Sequence, residues 1–158
     1  MHRAFALFAF AAACACGAVA TAAAPHGGPP LPPQPKVRPA GIPADAVLLS
    51  PCIQTMGEHW AALKNMPNGP IYGVWRGKPV FTEIMVTVDQ LKKGYSYANL
   101  KPLPGYTIDH VDFEYEPHGH AGLPVPHYDL HAYYVTRAEQ MQICPHGIPD
   151  PAMKPMKM

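Results

Sequence analysis

The sequence predicts an α+β fold: one small domain, mainly antiparallel β-sheet, with one or two short helices. Three observations predict it. Apolar and polar residues alternate with a period of two over several stretches, as in strands that bury one face. Gly- and Pro-containing breaks separate those stretches, and the helix-like patterns between them are short. Residues 46–144 carry this patterning, about 100 residues, enough for a single small core.

Taken in chain order, Ile53 to Met66 reads as a helix interrupted near Gly57. Ile71–Trp75 and Pro79–Val88 read as a hairpin around Arg76-Gly77-Lys78. In its second strand Val80, Thr82, Ile84, Val86 and Val88 share one face, and Phe81, Glu83, Met85 and Thr87 the other. Asp89 to Gly94 begins with a capping residue and ends in Gly, which predicts a helical turn or two. After Leu103-Pro104-Gly105 come a strand over Tyr106–Glu116, a ten-residue loop over Pro117–Pro126, and a strand over His127–Thr136. Arg137–Ile143 is a short C-terminal helix candidate. No internal repeat is visible.

The flanks differ in kind. Met1-His2-Arg3 is a short basic start, Ala4–Ala20 is apolar, and Ala20-Thr21-Ala22 fits a cleavage site, so residues 1–22 are expected to be a signal peptide. A membrane anchor would need a longer apolar run and a basic flank, so no stable membrane insertion is expected after cleavage. Residues 23–45 are Pro/Gly-rich and read as a disordered or polyproline-like leader. Residues 145–158 read as a flexible tail, with Met153, Met156 and Met158 in a Lys/Pro context. The expected location is the periplasm or the extracellular space. Removing the signal leaves only Cys52 and Cys144. In an oxidising compartment they would close a long loop, worth about 3–5 kcal/mol in the chain-entropy model. Two free thiols or two thiolate ligands are the alternatives. With 12 basic against 11 acidic residues and a net charge of +1, nothing favours nucleic acid as a partner.

The most informative stretch is Ile108–Tyr134. It holds five of the nine histidines and five carboxylates (Asp109, Asp112, Glu114, Glu116 and Asp129), with no Lys or Arg. Imidazole nitrogen mixed with carboxylate oxygen suits zinc, copper, iron, nickel or manganese. Period two places His110, Asp112, Glu114 and Glu116 on one face of the first strand, and His127, Asp129, His131 and Tyr133 on one face of the second. One register sets Glu116 opposite His127, Glu114 opposite Asp129 and Asp112 opposite His131. His127 and His131 then lie roughly 13 Å apart, too far to clamp one ion. His120, reached through His118-Gly119-His120, is the expected partner, with His127, His131, Asp129 and Glu83 as ligands and Glu58-His59 as a further source. A wet His/Asp/Glu-rich face, or a buried hydrogen-bonded network without metal, are the competing interpretations. Glu58-His59-Trp60 also fits a capped helix start.

The run GHAGLPVPHYDLHAY, with YGVWRGKPVFTEIMVTVDQL upstream, resembles a family of small exported bacterial proteins of unknown function. Its signature is GH-x-G…P-H-[YF]-D-x-H-x-Y with a G-K-P-x-F-x-E strand. The matching positions are Gly119, His120, Gly122, Pro126, His127, Asp129, His131 and Tyr133, plus Gly77, Lys78, Pro79, Phe81 and Glu83. The resemblance covers roughly Gly57 to Ile143. It implies an exported, mainly β domain assembled as a homo-oligomer; one Thermus member is under an extracytoplasmic stress sigma factor. It implies no reaction.

Three functions follow as expectations. The first is binding of a divalent transition metal, zinc foremost. The second is a zinc-dependent hydrolase using the same site, with Glu83 or Glu114 as general base. The third is a metal-free, stress-related assembly module.

Overall fold

A computed structural model describes residues 30–98 and 100–149. The expected signal peptide, leader residues 23–29 and the three tail methionines lie outside the described residues. Among the described residues, six antiparallel strands form one sheet: β1 (Val47–Ile53), β2 (Gly57–Ala61), β3 (Ile71–Trp75), β4 (Lys78–Thr87), β5 (His110–Glu116) and β6 (His127–Tyr133). Their spatial order is β1-β2-β3-β4-β6-β5. With two short helices, α1 (Val88–Lys92) and α2 (Arg137–Gln140), this is the expected α+β fold dominated by antiparallel sheet.

The helix expected over Ile53–Met66 is not formed. That segment holds the end of β1, all of β2 and a 3-10 turn at Leu63–Asn65. Gly57 takes φ +91, and a Cβ there would fall 2.4 Å from the Val74 carbonyl oxygen. The residue therefore serves a tight backbone approach at the start of β2. Trp60 and Ala61 then bury on opposite faces of the sheet, and this two-sided burial with full strand pairing overrides local helix preference. α1 starts two residues earlier than expected. Thr87, not Asp89, is its cap, in a reciprocal pair with Gln90. Thr136 and Glu139 cap α2 in the same way.

Between β5 and β6 the register is the one expected: Glu116 opposite His127, Glu114 opposite Asp129, Asp112 opposite His131. β4 continues it, with Glu83 opposite His131 and Met85 opposite Asp129. One face of the sheet packs Leu48, Trp60, Tyr72 and Val74 against Ile42, Ala46 and Leu103. The other packs Phe81 and Tyr133 with Ile143 and Cys144, and Ala61, Ile71 and Met85 with Leu123. The polar row of the β5–β6 hairpin lies on this second face and is buried at β6. The apolar row is turned outward: Val111 is 51 %, Phe113 63 % and Tyr115 49 % exposed.

The flanks also pack. The Gln34 side chain accepts from the Leu48 N–H (2.8 Å) and donates to the Leu48 carbonyl (2.9 Å), imitating a neighbouring strand beside β1. Ile148 runs alongside Ile53 in a short parallel bridge. Cys52 and Cys144 come together there with Cα atoms 5.9 Å apart, within the range that a disulfide spans. No helix among the described residues is long and apolar enough to cross a membrane.

Candidate metal centre

Two groups of side chains assemble on the buried polar face, each with two imidazoles and one carboxylate: His120, His127 and Asp129, and His59, Glu83 and His131. Within each group the potential ligand atoms lie within 4.8 Å of one another.

The first group depends on the loop between β5 and β6. Gly119 adopts φ +64, and a Cβ there would meet the Leu123 carbonyl oxygen at 2.4 Å. The turn is closed by two bonds between His120 and Leu123, N–H to carbonyl in both directions (3.2 and 3.1 Å). This brings His120 back over β6 while His118 stays exposed. His120 Nδ1 donates to the Ala121 carbonyl (3.0 Å) and His127 Nδ1 to the Val125 carbonyl (2.6 Å). A carbonyl only accepts, so each Nδ1 carries the hydrogen and each neutral ring turns a bare Nε2 inward. Those two Nε2 atoms are 3.0 Å apart. Asp129 faces both, Oδ2 at 3.2 Å from His120 Nε2 and Oδ1 at 3.1 Å from His127 Nε2.

The second group draws on three strands. His59 of β2 pairs with Gly73 of β3, which pairs with Phe81 of β4. Gly73 leaves the room that the Phe81 ring fills, since a Cβ there would fall 2.2 Å from the ring. Phe81 then meets His59 and His131 edge to face, with centroids 5.5 and 4.9 Å away. His59 Nδ1 contacts Ser50 Oγ (3.0 Å), which leaves its Nε2 towards Glu83. The Nε2 atoms of His59 and His131 each lie 3.7 Å from Glu83 Oε2. That is too long for a hydrogen bond. It is close to the roughly 3.3 Å between neighbouring ligands of a tetrahedral zinc ion with bonds of about 2.0–2.1 Å.

Burial and mutual charge set the protonation. Burial, with His131 beside it, pushes His59 down to about 3, so its ring is neutral. Burial raises Glu83 to about 7, against the pull of His131. For His131 burial works downward, but Glu83 and Glu114 outweigh it and raise the ring to about 9. His120 is likewise raised to about 9, because Asp129 and the Ala121 carbonyl outweigh burial. Burial opposes the charge on Asp129, yet the imidazoles of His120 and His127 hold its carboxyl well below the usual carboxylate range. Glu83 Oε2, Asp129 Oδ1 and His131 Nδ1 are buried without an aligned hydrogen-bond partner among the described residues. For His131 Nδ1 the nearest approach is Glu114 Oε2 at 3.3 Å. Buried polar atoms left in this state are costly unless something else binds them.

The sequence-predicted ligands are thus all near one another but divide differently from expectation. His120, His127 and Asp129 meet; His131 and Glu83 meet apart from them, with His59 as their third member. Glu114 contacts His131 from a half-exposed position, and Glu116 is buried opposite His127, where burial raises its carboxyl. Glu58 turns to the opposite face and accepts from Trp60 Nε1 (3.1 Å). His110 stacks on Tyr133 at 4.9 Å and belongs to neither group. Asp112 pairs with Arg137 of α2 (2.7 Å), the cation that the hairpin itself lacks. His59 is the residue that the helical interpretation of 53–66 hides; a period-two reading of Gly57, His59 and Ala61 would have placed it on the site face. A cavity of about 630 Å³ opens over both groups.

Fold and site together define a small, single-domain, mainly antiparallel α+β protein with His/carboxylate groups able to take a metal ion. No family model matches the chain, and no curated protein matches it. Among solved structures it is similar to the hypothetical protein TTHB210 from Thermus thermophilus, with a TM-score of 0.52 and 21% sequence identity. The alignment covers 65% of this chain and 95% of that one. At that identity the likeness shows the fold, and it is consistent with an uncharacterised family.

Proposed function

We propose that the chain is an exported protein that binds divalent transition metal, zinc foremost, with one ion in each His/carboxylate group. One observation carries this reading. His120 and His127 each commit Nδ1–H to a backbone carbonyl and aim Nε2 at the other's Nε2 and at Asp129. These two nitrogens and the two Asp129 oxygens, at contacts of 3.0–3.2 Å, repel one another unless a proton or a metal ion lies between them. Carbonyl anchoring of the outer nitrogen is also the usual support for a metal-bound histidine. Export is supported by the signal-like residues 1–22 and by the approach of Cys52 to Cys144, which we take to be oxidised outside the cytoplasm.

The test is elemental analysis of the full chain exported by a host and purified without chelator, followed by thermal melts with and without zinc. The expected result is close to two equivalents of metal and a clear rise in Tm on adding zinc to stripped protein. Neither metal nor any response to zinc, copper or nickel would end the proposal.

The cavity over both groups favours a second reading, a zinc-dependent hydrolase with Glu114 as base. Glu114 lines the cavity and is half-exposed, whereas Glu83 sits among the ligand atoms. On this reading Glu114→Gln keeps zinc and loses hydrolysis of an activated ester. Equal turnover with and without Glu114 rejects it.

A further inference from the structure

The cavity on the site face has a composition that metal binding alone does not require. Its volume, about 630 Å³, is that of a small-ligand site. Its walls are apolar, built from Leu49, Ile53, Met56, Met66, Ile71 and Met85. Three of these are methionines, whose flexible thioethers adapt to varied apolar shapes. Its polar end is supplied by His59, Glu83, His120, Asp129 and His131, from both groups. Two of the buried atoms without an aligned partner, Glu83 Oε2 and Asp129 Oδ1, therefore belong to residues lining the same space.

Charge narrows the class. A dication held by two imidazoles and one carboxylate keeps one positive charge and, with only three protein ligands, an open coordination position. Two such ions face one cavity. Glu114, beside His131, lines the cavity and offsets one of the two charges. The open coordination positions at the polar end suit an anionic oxygen donor, and the remaining walls are apolar.

Resting on the metal-binding reading above, we propose that this cavity binds a small amphipathic monocarboxylate. Its carboxylate would occupy an open metal position beside Glu83 and Asp129, and its apolar body would lie against the methionine-rich walls.

The test titrates decanoate, decanol and acetate into the full chain, once zinc-loaded and once zinc-stripped, by calorimetry. Decanoate is expected to bind the zinc-loaded chain at one per chain. It should bind at least tenfold more tightly than decanol, than acetate, or than decanoate to stripped protein. Leu49→Trp and, independently, Met85→Trp are expected to weaken decanoate at least tenfold while retaining zinc uptake, which also reports that each variant is folded. Zinc uptake with equal decanoate affinity in loaded and stripped protein overturns the carboxylate-on-metal proposal and leaves metal binding standing. So does equal binding of decanol and decanoate. Absence of zinc uptake overturns both.

Discussion

A histidine is informative here for what its two nitrogens must do. His120 and His127 have one nitrogen fixed by a carbonyl, so the other is committed to the site. In the metal-free chain the positive charge is carried by protons, and His120 and His131 retain theirs up to about 9. A metal ion must displace those protons. Apparent zinc affinity is therefore expected to rise between about pH 6.5 and about pH 8.5, by up to about tenfold per unit for each proton displaced. Metal-free stability moves the other way. These folded-state pKa values lie above the roughly 6.5 of an unfolded imidazole. The folded chain thus holds more protons in that window, and stability falls as pH rises through it. His59, pushed down, acts oppositely, but only below about 6.5. Thermal melts with chelator and with excess zinc at the two pH values check this: the zinc-induced rise in Tm should be larger at the higher pH. A rise independent of pH would contradict the assignment of these residues as ligands.

Single elements show what the sequence discloses and what it conceals. The β5–β6 hairpin was legible in both faces and register, because strict alternation runs through His110–Glu116 and His127–Tyr133 and prolines bound the loop. Which face is buried was not legible from the hairpin alone. Val111, Phe113 and Tyr115 invite burial, yet their face is left open, while the 117–126 loop folds over the polar one. β2 escapes a local reading because helix-compatible residues fill it and its reason for being a strand, the slot between β1 and β3, lies elsewhere in the chain. The loop gives the element-scale prediction. Gly119→Ala places a Cβ against the Leu123 carbonyl at a left-handed φ, a strain of about 1–3 kcal/mol. It should withdraw His120 from its group and leave the His59 group intact, lowering zinc uptake from two equivalents to one. Unchanged uptake would mean that the loop does not position a ligand.

At the scale of the molecule, the two groups exist because distant strands converge. One is completed by a loop folding back on its own hairpin; the other needs β2, β4 and β6 side by side, with Phe81 between two of its imidazoles. Spacing along the chain set His127 apart from His131, which fall in different groups, and could not assign His131 its partners, since those are set by sheet order. The approach of Cys52 to Cys144 ties β1 to the segment after α2 and borders the same face. The decisive measurement is a zinc titration of stripped full-length protein, His59→Ala, His127→Ala and the double variant, with each fold confirmed by circular dichroism. Two independent ions predict two equivalents for the parent, one for each single variant and none for the double. A folded parent that takes up no zinc, or folded single variants that each keep both equivalents, would contradict the assignment of these six side chains to two metal sites.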